Sequence, residues 1–249
     1  MVNLFKLLIK PVWVLLLMFW FAQLGFAAAT SASNNSDTKR PLSAEQTVLH
    51  SFEPLFTQVT LELSTHQQRY LNDPVAYDEF VSRVLKPRWD SRSTSSALLG
   101  RALFEQLTQA ERVALVDAVE NTLRRYAFEG LERYSGQRFR VVDVVVNPRA
   151  SMGWVQVLMA SPVIPDLHID VLIKQVGADS WKAVDVRFKG ITYVAVKKHK
   201  FRKIIEEKGI QALISELQNK NRDYFADICD RANMAGNSPC PASGNLRDE

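Results

Sequence analysis

The chain has 249 residues, 47% hydrophobic and 23% charged, with a formal net charge of +4 at pH 7. That is enough apolar material for one substantial core, which excludes a disordered chain. A pI near 9.1 tolerates an anionic partner, but the charge is too mild for the dense basic footprint of a nucleic-acid binder, and no nucleic acid is expected.

Lys6 and Lys10 precede the apolar residues 12–26, where Gln23 is the one strongly polar side chain, and Ala27, Ala28 and Ala29 follow. A positive start, an apolar stretch and small residues at its end form the pattern of a secretory signal peptide over residues 1–29. The alternative is an uncleaved anchor, since the apolar stretch approaches the ~20 residues that span a bilayer. The alanines favour cleavage, and either way the folded part lies outside the cytoplasm. Residues 30–41, rich in Ser, Asn and Thr, read as a flexible tether.

Helical signals come next. "SAEQ" at 43–46 has capping-box spacing, and Val48, Phe52, Leu55, Phe56, Val59 and Leu63 recur at helical intervals, with Pro54 threatening a kink. "DPVAYDEFVSRVLKPRW" places Tyr77, Phe80, Val81, Val84 and Leu85 on one face and stops at Pro87. The Ser/Thr-rich residues 91–96 read as a break before "ALLGRALFEQL", a further short helix. "TQAE" at 108–111, a second capping box, opens the clearest helix, which carries Val116, Val119, Leu123, Tyr126, Ala127, Leu131 and Tyr134 to a stop at Gly136.

After Gly136 the period becomes strand-like. "RFRVVDVVV", "GWVQVLMA", "LHIDVLIKQV", "WKAVDVRF" and "ITYVAV" are β-branched runs separated by short Pro- or Gly-containing links, which implies antiparallel neighbours. In "LHIDVLIK", Leu167, Ile169, Val171 and Ile173 alternate with His168, Asp170, Leu172 and Lys174, so one face is expected to be buried. A closing helix holds Phe201, Ile204 and Ile205, then Gly209, then Ile210, Leu213, Ile214 and Leu217. The order predicts an α+β fold, with helices packed on one face of a curved antiparallel sheet. The expected domain covers residues 42–221. Residues 222–249 read as a tail in which Cys229 and Cys240, the two cysteines of the chain, form a disulfide in an oxidising compartment.

Catalytic constellations are thin. His50, His66, His168 and His199 occur without HExxH, CxxC, GxSxG or phosphate-loop context, and no metal site is expected. His168 and Asp170 share a strand face and offer an acid/base pair, although two polar residues on a wet face explain them as well. Asp185, between Val184 and Val186, would suit a proton-abstracting base on the concave face of a cone-shaped domain. Its phase against those valines points it to the other face, toward a structural hydrogen bond. The basic run "KKHKFRK" at 197–203 suits lipid headgroups or an acidic partner, and equally a solvated helix face.

"SWKAVDVRFKGITYVAVKKHKFRKIIEEKGIQALISELQNK" resembles the C-terminal signature of the MlaC-like family, exported toluene-tolerance auxiliary proteins of Gram-negative ABC lipid transport systems. Trp181, Val184, Asp185, Val186, Gly190, Ile191, Phe201, Ile204, Ile205, Gly209, Leu213 and Leu217 carry the likeness. "FVSRVLKPRW" and "TQAERVALVDAVENTLRRYAFEGLERYSGQRFRV" are similar to the family's helix before Trp89 and to its Thr-led helix. Residues 90–107 are an insertion relative to the family, and "AVKKHK" replaces an aromatic-polar segment. The resemblance implies an NTF2-like or cystatin-like fold with an apolar cavity between sheet and helices. It also implies a periplasmic phospholipid carrier, not an enzyme, with bound phospholipid as cargo and no other cofactor. Its partners would be an inner-membrane ABC permease complex with a lipid-binding ring subunit, and an outer-membrane lipoprotein/porin complex. The cavity would be lined by Phe80, Val84, Leu123, Tyr126, Val145, Val157, Ile169, Val171, Ile173, Val184, Val186, Tyr193, Phe201 and Ile204. The alternatives are an exported enzyme with Asp185 or His168 as base, and a membrane-anchored scaffold that binds protein.

Overall fold

The computed structural model describes residues 42–234 except 148 and 164. The expected signal peptide and tether lie outside the described residues. Among the described residues, no helix is long and apolar enough to cross a membrane.

Helix α1 (Ala44–Asn72) opens with Ser43 Oγ accepting the Gln46 N–H at 3.2 Å while Gln46 Oε1 accepts the Ser43 N–H at 2.9 Å. This reciprocal cap satisfies donors that a helix start leaves open. The helix runs on through Pro54, because Val48, Phe52, Leu55 and Leu63 are buried along it and their packing outweighs one missing hydrogen bond. Helix α2 (Pro74–Phe80) passes into a π-helical turn (Val81–Leu85) and a 3₁₀ turn (Lys86–Arg88). Residues 91–96, expected to be a break, instead form the start of α3 (Ser91–Leu99), since Asp90 Oδ1 accepts the Ser93 N–H at 2.9 Å and caps it. Gly100, at φ 86°, separates α3 from α4 (Arg101–Gln106). Helix α5 (Gln109–Glu132) begins at the second capping box, on Thr108 and Glu111.

Strands β1 (Arg138–Asn147), β2 (Met152–Ala160), β3 (Leu167–Gly177), β4 (Ser180–Phe188) and β5 (Ile191–Thr192) form one antiparallel sheet in sequence order. Its inner face is built from aligned rows, Val141–Val157–Ile169–Phe188 and Val144–Val155–Val171–Val186. Two bulges set these rows. Val142 is the extra residue on β1 and Val184 on β4, and each reverses the alternation that follows it. The run "ITYVAV" departs from the expected strand after two residues. Thr192 Oγ1 accepts the Ala195 N–H at 3.1 Å, so Tyr193 begins α6 (Tyr193–Lys208). Gly209, at φ 81°, separates α6 from α7 (Ile210–Met234).

Two apolar clusters fill the molecule. The first joins α1, α2, the sheet and the C-terminal halves of α5 and α7, with Tyr70, Tyr77, Phe80 and Phe128 in ring contact. The second joins α3, α4, the start of α5, α6 and the start of α7 around Leu98, Leu115 and Leu213. Residues 90–107, the insertion noted in the sequence, thus share a second core with α5, α6 and α7. The insertion is tied to the sheet where β4 bulges: Asp90 N–H donates to Ala183 O at 2.8 Å, Thr94 Oγ1 donates to Val184 O at 2.7 Å, and Thr94 Oγ1 in turn accepts from Trp89 Nε1 at 2.9 Å. Thr94→Val is therefore expected to cost about 1–3 kcal/mol, the penalty for stranding a buried donor and acceptor, read as a lower urea midpoint at unchanged slope.

The expected end of the domain at residue 221 falls inside α7. Asn221 Nδ2 donates to Ala118 O at 3.0 Å, and beyond it Phe225, Ile228 and Cys229 are buried in the first cluster. The helix continues because its apolar positions still face that core. Cys229 is disulfide-bonded. Cys240, its expected partner, lies outside the described residues.

Candidate lipid cavity

A cavity of about 390 Å³ lies between the inner face of the sheet and the helices. Phe139, Val157, Ile169, Val171, Ala183 and Val186 form the sheet wall. Phe52, Leu55 and Phe56 of α1, Val81 and Leu85 of the π-helical turn, Leu123, Tyr126 and Ala127 of α5, and Tyr193 of α6 form the opposite wall. The volume falls in the range of ligand sites, and the lining is overwhelmingly apolar. Alternation explains the sheet wall, since Ile169 and Val171 stand two residues apart on β3 and face the same way. Spacing of three and four residues explains Phe52, Leu55 and Phe56.

Several polar side chains of the lining are paired with one another or with neighbours. Lys86 Nζ meets Glu120 Oε1 at 2.8 Å. Arg124 pairs with Asp78 at 3.1 Å, and its guanidinium lies 4.1 Å from the centre of the Phe225 ring. Tyr126 and Tyr193 meet edge to face at 5.8 Å. Burial, then the neighbouring Tyr126 hydroxyl, pushes the Tyr193 phenol well up, so it stays neutral at physiological pH.

Of the residues singled out in the sequence, Leu123, Tyr126, Val157, Ile169, Val171, Val186 and Tyr193 come together around the cavity. The others lie elsewhere. Val145 is 51% exposed because the bulge at Val142 turns it to the outer face, in the row of Trp154 and Leu172. Val184 is buried as the unpaired residue of the β4 bulge and does not line the cavity. Ile173 and Phe80 are packed into the first apolar cluster, and Phe201 and Ile204 belong to the second. Val84 lines a neighbouring hollow. Sequence reasoning missed Phe52, Leu55, Phe56, Val81, Leu85, Trp89, Phe139 and Ala183 as lining. The α1 triplet carried a signal in its helical spacing, but spacing does not say which partner a face meets.

Of the two candidate bases, Asp185 is held in a structural role and His168 is exposed on β3. Asp185 Oδ1 accepts the N–H of Val186 at 2.8 Å and of Val194 at 3.2 Å, which pins the first turn of α6 to the sheet. Burial raises its pKa against the lowering effect of these donors. Asp185→Ala is expected to cost about 1–3 kcal/mol through the stranded N–H groups, whereas Asp185→Asn keeps an acceptor and costs less, a contrast that paired thermal melts would resolve. Asp170 Oδ2 accepts from Arg187 Nε at 2.8 Å, so the partner of Asp170 is Arg187 and not His168. In the basic run, Lys200 pairs with Glu216 and Lys203 with Glu207, as expected of a solvated helix face. Among the described residues, no group of three or more His, Cys, Asp or Glu is arranged to hold a metal ion.

The family model described as MlaC protein matches residues 54–219. A phospholipid-binding protein from Ralstonia solanacearum, solved in complex with a phospholipid, is similar in fold. It shows 17% sequence identity and a TM-score of 0.57, over 74% of this chain and 99% of that one. No curated protein matches the chain.

Proposed function

The chain belongs to the MlaC family, and from that premise we propose that it is a periplasmic carrier that holds phospholipid acyl chains between its sheet and its helices. The observation that carries this reading is the apolar cavity of about 390 Å³ bounded by Val157, Ile169, Val171 and Val186 on one side and Phe52, Leu55 and Leu123 on the other. Each methylene removed from water contributes about 0.8 kcal/mol, so a cavity of this chemistry selects tails and needs no catalytic group. The Ralstonia solanacearum protein of similar fold binds a phospholipid, which supports the same occupant here. In this reading the carrier exchanges lipid with an inner-membrane ABC permease complex through its lipid-binding ring, and with an outer-membrane lipoprotein/porin complex.

Native mass spectrometry of gently purified protein tests the carrier. Phospholipid is expected to co-purify, and Asp185→Asn is expected to leave that adduct in place. Consistently empty protein, or a turnover that disappears with Asp185→Asn, would reject the carrier in favour of a scaffold or an enzyme. Export is part of the reading. Mature protein released with periplasmic contents is expected to begin near residues 28–30, and N-terminal sequencing that finds intact Met1 on membrane-bound material would contradict it.

A further inference from the structure

The apolar cavity accounts for lipid tails and leaves the phosphate without a place. Beside it lies a second hollow of about 490 Å³, and the two share Leu55 and Arg88 in their walls. Gln58, Arg83, Ser180 and Trp181 contribute to the second hollow. Among the described residues, its lining contains two guanidinium groups and no carboxylate. Arg83 and Arg88 make no ion pair among the described residues, and the hydrogen bond from Arg88 Nη1, at 2.6 Å, goes to the neutral Ser51 Oγ. Both arginines belong to the short irregular stretch that follows α2. There the Lys86 N–H reaches back five residues to Val81 O, which widens the turn carrying Arg83, and the 3₁₀ turn that follows brings Pro87 and Arg88.

We propose that Arg83 and Arg88 bind the phosphate group of the lipid whose tails enter the apolar cavity. The inference rests on the carrier reading and adds a headgroup site to it. A guanidinium presents its donors in a planar fork that matches phosphate oxygens, and two of them beside an apolar cavity complement a molecule with one anionic group next to its tails. The site is open to water, so its contribution weakens as salt rises. It also separates phospholipids from neutral lipids with identical tails.

The test is competition between phosphatidylglycerol and diacylglycerol of the same acyl chains for delipidated full-length protein, read by native mass spectrometry. The native protein is expected to prefer phosphatidylglycerol by roughly tenfold or more, as charge-assisted hydrogen bonds imply. Arg83→Gln together with Arg88→Gln is expected to remove that preference while the melting temperature stays unchanged, since both residues are exposed. Raising salt is expected to narrow the preference of the native protein and not that of the double variant. A double variant that retains the preference, or a native protein that binds both lipids equally, overturns the phosphate site and leaves the carrier standing. Protein that binds neither lipid overturns both. Calorimetry with inorganic phosphate distinguishes the source. Binding of free phosphate that the double variant loses, with phosphatidylglycerol binding unaltered, assigns the arginines to a free anion and overturns the lipid site.

Discussion

Val171→Trp is expected to abolish phospholipid binding while shifting the melting temperature of delipidated protein by no more than a few degrees. Val171 lies mid-strand on β3, in register between Val155 and Val186, and its side chain forms part of the cavity wall. An indole built from that position occupies space that tails would otherwise fill, so the carrier reading predicts displacement without overpacking. The fitting control is Val184→Trp. Both valines are buried, but Val184 does not line the cavity, so added volume there meets packed atoms. Overpacking of that kind costs about 1–3 kcal/mol. At about 2–4 °C per kcal/mol for a domain of this size, the control should melt several degrees lower. Both proteins are compared after delipidation, because bound ligand raises apparent stability by mass action. A Val171→Trp protein that keeps its lipid and melts sharply lower would show that this space is filled core.

The contrast between these two valines also marks how far the sequence could be read. The capping boxes at Ser43 and Thr108 were legible because each depends on residues three apart in the chain, and the alternation of Ile169, Val171 and Ile173 on β3 was legible because that strand carries its inner face without interruption across the cavity. Val145 and Val184 were misplaced because a bulge costs one residue and leaves no mark in an unbroken run of β-branched side chains. "ITYVAV" read as a strand on composition, yet the hydroxyl of Thr192 and the carboxylate of Asp185 capture the N–H groups of Ala195 and Val194 and start a helix. The second of those contacts spans nine residues, beyond the reach of local pattern. The packing of residues 90–107 and of the C-terminal half of α7, the latter read as a tail beyond residue 221, escapes the sequence for the same reason. Their apolar residues find partners on α5, α6 and the first cluster, and those pairings are set by topology.

Asp78→Ala is expected to be among the most destabilising single substitutions in the molecule. Asp78 on α2 meets Arg124 on α5 at 3.1 Å with side-chain exposures of 7% and 6%, and Arg124 in turn lies over Phe225 on α7. One guanidinium in the cavity wall thus joins three helices. Removing its carboxylate takes the Asp78 counter-charge from a cation in surroundings that solvate it poorly, which costs about 3–5 kcal/mol, far more than the loss of an exposed pair such as Arg101–Glu105. The Phe225 ring recovers part of that loss through its negative face, so Phe225→Leu in the Asp78→Ala background should destabilise further than in the native protein. Replacing both charges, as Asp78→Leu with Arg124→Met, removes the buried ion along with its Asp78 partner and is expected to restore most of the stability, because the desolvation of two ions disappears along with their attraction. Urea unfolding of the singles and the double completes the cycle. A loss below about 1 kcal/mol in Asp78→Ala would mean that water reaches this pair as it reaches the surface, and that the wall behind the cavity is looser than the packing around Phe225 implies.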